Sequence, residues 1–136
     1  MIKTIIPAVF ALACAASAHA ACTQANIAGK WTAYSFSQDQ VGALAWTTCL
    51  LAIDSQGQFT AGTSYCAASG QKVQVHGALT ALSPSICLYA GSITSSQGVT
   101  DPIPSLTLSL DKQSATGAGG KNGSGNVFMF SMVRTK

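Results

Sequence analysis

The segment from Cys49 to Cys66 constrains this chain more than any other. Apolar and β-branched residues stand on both sides of Asp54-Ser55-Gln56-Gly57, and a cysteine closes each outer end. A short polar loop ending in glycine between two such runs is a hairpin signal, because glycine reaches the positive φ that a tight reversal needs. The rest of the chain follows the same grammar. Strand-like runs are expected at Gly29–Phe36, Trp46–Ile53, Gln58–Ala67, Lys72–Leu82, Ile86–Thr94, Leu106–Asp111, Gln113–Ala118 and Val127–Val133. Lys72–His76 and Leu106–Asp111 alternate apolar with polar residues, the period of a half-buried strand, and no window after the N-terminal leader shows helical periodicity. Ser95–Ser105, with Gly98, Pro102 and Pro104, reads as a loop, and Gly119–Gly125 as a flexible turn. The expected fold is all-β: a small antiparallel up-and-down meander barrel of about seven or eight strands, closed so that no strand edge is left open. A two-sheet β-sandwich is the alternative.

The first twenty residues have the layout of a secretory leader: a basic start at Lys3, an apolar run, and Ala18-His19-Ala20 as a small-x-small cleavage site. Residues 1–20 are therefore read as a signal peptide and 21–136 as a single domain, secreted or periplasmic. Phe10–Cys14 resembles a lipobox with Ala11 where leucine is usual, so lipidation at Cys14 is the lesser reading. The apolar run is shorter than the roughly 20 residues of a membrane-spanning helix.

Export leaves Cys22, Cys49, Cys66 and Cys87. An even number in an oxidising compartment favours two disulfides. The intervals of 26, 16 and 20 residues lack the close pair that a zinc site uses, so no metal or other cofactor is expected. Three pairings are open. If successive strands run up and down, Cys49 and Cys66 share one end of the barrel and Cys22 and Cys87 the other, giving Cys49–Cys66 and Cys22–Cys87. One difficulty attends this scheme: pairing Ile53 with Phe59 puts Cys49 and Cys66 on opposite faces unless a bulge near Cys66 restores the phase.

Charge is sparse. Seven Lys and Arg face four Asp and no glutamate, and charged residues make up 8% of the chain, against about 25% in an average domain. Scattered weak positive charge argues against nucleic acid as a partner. Acid–base chemistry is poorly supplied, since Asp54 and Asp111 sit in turn positions and His76, the one histidine after the leader, falls on the polar face of its strand. Gly117–Gly123 contains Gly120-Lys121, but Asn122 follows where a phosphate loop needs Ser or Thr; it reads as a hairpin turn. The chain is accordingly expected to be non-enzymatic. Small barrels bind ligands at one mouth against aromatic walls, which makes Trp31, Tyr34, Trp46, Phe59, Tyr65 and Tyr89 the candidate ligand-binding residues. The competing reading is that they plug the barrel as core.

Gly29-Lys30-Trp31-Thr32, followed by the hairpin segment Ala52–Tyr65, resembles the opening of avidin-like proteins, and the wider lipocalin-like barrels share the early Gly-x-Trp. The likeness covers about the first third of the exported chain and implies an eight-stranded meander barrel with Trp31 near one end. Ala61 and the late position of Tyr65 depart from the avidin pattern, and no tryptophan follows Trp46, so biotin binding is not carried over. In its overall look the chain also resembles small exported bacterial proteins of unknown function. The expected role is binding an unknown small apolar molecule or a protein surface. An inhibitor or interaction module presenting the Ser95–Ser105 loop, and an extracellular or envelope structural subunit, are the alternatives.

Overall fold

The computed structural model describes residues 21–60, 62–68, 70–120 and 126–136; residues 1–20, on which the expected signal peptide and Cys14 fall, lie outside them. Eight antiparallel strands form one closed barrel in sequential order: β1 Gly29–Gln38, β2 Leu44–Ile53, β3 Tyr65–Ala68, β4 Gln71–Ser83, β5 Leu88–Ser95, β6 Thr100–Leu108, β7 Ser114–Gly120 and β8 Val127–Thr135. β1 pairs with β8 over Lys30↔Thr135 to Gln38↔Val127 and so closes the sheet on itself. The barrel reading holds and the sandwich does not.

The period of two sorts the side chains. Trp31, Ala33, Cys49, Leu51, Val75, Leu79, Tyr89, Leu106, Leu108, Ala115 and Met132 are buried inside. Their sequence neighbours Lys30, Tyr34, Leu50, Gln74, His76 and Val133 face outward and are exposed. At the Gly57 turn (φ +81°), a Cβ would strike the Leu79 carbonyl, so both the backbone angle and the close approach of β4 call for glycine.

Both disulfides form as the up-and-down argument expects, Cys22–Cys87 and Cys49–Cys66. The phase problem near Cys66 is real, but more than a bulge resolves it. Ile53 pairs with Phe59 and Cys49 with Cys66, so the returning segment carries three more residues than β2. They are taken up in a turn in which the Thr63 amide donates to the Thr60 carbonyl. The buried Ser64 follows; its Oγ accepts from the Ala52 amide at 2.9 Å and lies 3.3 Å from the Ala52 carbonyl. The expected continuous strand Gln58–Ala67 is thereby split. Gln58 and Phe59 pair at one end of the barrel, through Phe59 N–H to Gly77 O and Gln58↔Ala78, and only Tyr65–Ala68 forms β3.

The expected Ser95–Ser105 loop is mostly strand. β6 starts at Thr100, and the reversal is confined to residues 96–99. Its prolines are tolerated for a geometric reason. Ser95 N–H donates to Val99 O, which sets the ladder phase so that the Asp101 and Ile103 amides point to β5 while Pro102 and Pro104 point away. On that side the ladder to β7 begins only at Ser105↔Ala118. Prolines are accepted where no ladder hydrogen bond is required of them. Likewise Gly119 and Gly120, expected in a turn, belong to β7; residues 121–125 of that turn lie outside the described residues.

Candidate functional site

The two ends of the barrel are built differently. At one end the chain before β1 folds across the opening as a short 3-10 turn, Gln24–Ile27, tied by Cys22–Cys87 to the residue just before β5. Trp31 lies beneath it, 1% exposed, and its indole N–H donates to Ile27 O at 2.9 Å. Arg134 covers the indole, its guanidinium carbon 4.5 Å from the ring centroid, and donates to the carbonyls of Lys112, Ala28 and Asn26. Tyr89, fully buried, donates its hydroxyl to Thr23 O at 2.6 Å, and burial pushes its phenol above the usual range. Gln24 bridges the Leu79 carbonyl and the Ala81 amide. This end is a satisfied plug.

The other end is a cup with a cavity of about 410 Å³. Its floor and lower wall are apolar, from Leu51, Phe59, Val75, Leu79, Leu106 and Met132. Higher up, Ala33 gives way to Ser35 and Ser37 on β1, and Cys49 to Thr47 on β2, with Ser95 and Gln97 opposite. The space exists because inward side chains shrink along the strands. β1 runs Trp31, Ala33, Ser35, Ser37 from plug to mouth, and β7 runs Ala115, Gly117, Gly119. Phe130 and Phe128 lie over the two glycines, where a Cβ would collide with their rings. The Cys49–Cys66 bridge is part of the wall. Among the described lining residues Asp101 carries the charge; it is partly buried on β6.

Of the six residues singled out from the sequence, the cup receives Phe59 alone. Trp31 and Tyr89 belong to the plug. Tyr34 and Trp46 stand on the outer wall, 55% and 74% exposed. Tyr65 also faces out, with the Lys72 ammonium 3.6 Å from its ring centroid. The lining is drawn instead from aliphatic and small residues plus Phe128 and Phe130. Its sequence signal was the taper of same-parity residues rather than the aromatics.

The carboxylates outside the cup organise turns. Asp39 accepts from the Val41 and Ala43 amides, and Asp54 from Gln56 and Gln58. Asp111 accepts from Ser109 Oγ and the Gln113 amide, and the Ser109 bond foremost holds its carboxyl below the usual range. His76 is exposed on the outer face of β4, across the wall from the cup. Among the described residues no cluster of three His, Cys, Asp or Glu is placed to hold a metal ion, and no helix is long and apolar enough to cross a membrane.

No family model and no curated protein sequence matches the chain. Solved structures do. A redesigned β-barrel is 14% identical with a TM-score of 0.57, covering 83% of this chain and 95% of its own. A de novo designed fluorescence-activating β-barrel is 15% identical, also at 0.57, covering 79% and 93%. At these identities the likeness concerns the fold, and the class it supports is the small closed β-barrel with a meander order of strands.

Proposed function

We propose that this protein is an exported, non-enzymatic binding protein that holds a small apolar molecule in the open cup. The observation that carries the reading is the 410 Å³ cavity itself, apolar below and edged with hydroxyl and amide groups above. Burial of a hydrocarbon or aromatic body against the floor would supply affinity at about 25 cal/mol per Å² of apolar surface. The rim groups would orient a single polar substituent toward the mouth. Two disulfides fit an oxidising compartment, in keeping with residues 1–20 as a cleaved leader. One of the designed barrels that this fold resembles is described as fluorescence-activating, which makes an environment-sensitive dye a natural probe.

The test uses N-phenyl-1-naphthylamine, a neutral aromatic amine whose emission rises in apolar surroundings. The expected result is saturable enhancement at one site per barrel, a rise in melting temperature, and loss of both in Ile93→Trp, which fills the cup from β5. Enhancement that is equal in wild type and in a folded Ile93→Trp variant would contradict the proposal.

A further inference from the structure

The outer wall is not uniform. β8, β1 and β2 are neighbours, and their outward positions are in register: Phe36 lies between Trp46 on β2 and Met129 on β8, and Gln38 between Leu44 and Val127. Trp46, Leu44, Met129 and Val127 are 74%, 61%, 69% and 59% exposed, and the Phe36 and Trp46 ring centroids lie 4.6 Å apart with their planes tilted by 50°. Beyond the strands, Val41 is 88% exposed at the tip of the β1–β2 turn. That turn is held by the Asp39 carboxylate on the Val41 and Ala43 amides and by Asp39 N–H to Ala43 O. The outward positions of these three strands from the mouth down to Thr32, Leu50 and Val133 carry no charge. On the opposite wall β4 presents Lys72, Gln74 and His76, and β5 presents Ser92 and Thr94.

We infer that this face is a docking surface for an electrically neutral lipid bilayer, which the barrel meets side-on with its mouth at the headgroup level. Shape and charge select the occupant. The wall of the closed barrel is convex, so two copies would touch only along a ridge, whereas lipid headgroups and acyl chains conform to a ridge. Trp46 and Tyr34 combine an apolar ring with a polar tip, the composition favoured at a membrane interface. The strands' outward positions lack charge and the adjoining turn carries the Asp39 carboxylate, which matches a zwitterionic surface rather than an anionic one. A spanning barrel would need an apolar band all round, and the Lys72–His76 wall denies it, so the contact is peripheral. Ser37 and Thr47, which line the cup, are one residue away from Phe36 and Trp46 in their strands. Docking therefore sets the mouth beside the lipid. The inference stands on the outer face and does not depend on what fills the cup.

The test is flotation of the exported chain with phosphatidylcholine vesicles, at low and high salt, with tryptophan emission recorded in parallel. Trp31 is buried, so a blue shift and quenching by brominated acyl chains report Trp46. The expected result is salt-insensitive binding with Trp46 shielded. In the Val41→Ser/Leu44→Ser variant binding falls roughly a hundredfold, whereas Leu110→Ser, an exposed apolar side chain in the β6–β7 turn, changes nothing. Failure to float, binding only to anionic vesicles and lost in salt, or a dimer by analytical ultracentrifugation that shields Trp46 without lipid would each overturn it.

Discussion

The plugged and open ends of this barrel belong to one closed sheet, and they differ in what the inward positions hold. At the plug, Trp31, Tyr89 and Leu108 are 2% exposed or less, and a disulfide, an arginine and a 3-10 turn engage the polar atoms that the chain brings with it. At the mouth the same strands carry Ser35, Ser37 and Thr47, and the interior is space. The difference teaches that a small barrel can concentrate its ordering interactions at one end. The other end is then free of the packing demand that would otherwise fill it, since close-packed cores tolerate voids poorly.

Substitutions can break that comparison, and the largest effects are expected at the plug. Cys22→Ala with Cys87→Ala releases a tie across 65 residues, which loop-closure entropy values at about 4 kcal/mol; Cys49→Ala with Cys66→Ala, across 17 residues, costs about 3 kcal/mol. Urea unfolding of both pairs checks the order. Next, Arg134→Met withdraws a charged donor from three carbonyls and a cation from the Trp31 face. A loss of about 2–3 kcal/mol is expected, with dye affinity in the cup unchanged.

Tyr89→Phe should cost about 1 kcal/mol near neutral pH, for one hydrogen bond to Thr23. It also carries a pH signature. The Tyr89 pKa is raised in the fold by burial, so its contribution is full below the unfolded value near 10. It is lost as pH climbs through the folded value, because the unfolded chain releases the proton first. Wild type should therefore weaken more steeply than Tyr89→Phe in alkaline denaturation. The smallest effect belongs to the mouth. Thr47→Ala should move stability by no more than about 0.5 kcal/mol while altering which polar substituents a bound dye tolerates, read by competition titration.

The barrel was legible because alternation is written plainly in Lys72–His76 and Leu106–Leu108, and because four cysteines in a meander have one pairing that respects its ends. Two elements escaped. Pro102 and Pro104 mark a loop by composition, yet their nitrogens point to where no ladder bond is needed, and that depends on the phase of β5, which composition does not reveal. Gln58–Ala67 reads as one strand because Phe59, Thr60, Thr63 and Tyr65 suit a strand; the turn before Ser64, which uses Gly62 at φ +78°, follows from a register set by β2 and β4 together. The cup was sought among six aromatics, but Trp31 and Tyr89 fill the plug and Tyr34, Trp46 and Tyr65 face outward, so of the six Phe59 alone joins Phe128 and Phe130 in the lining. The informative pattern was Trp31, Ala33, Ser35, Ser37, large to small at constant parity, beside the glycines of β7.

The most direct test of the plug-and-cup account is a methyl and amide NMR titration of residues 21–136 with N-phenyl-1-naphthylamine. Shifts gathered at Ala33, Leu51, Val75, Ile93 and Met132, with the Trp31 indole and the Tyr89 amide unmoved, are the expected outcome. Shifts confined to Trp46, Met129 and Val127 on the outer wall, with the cup residues silent, would contradict it.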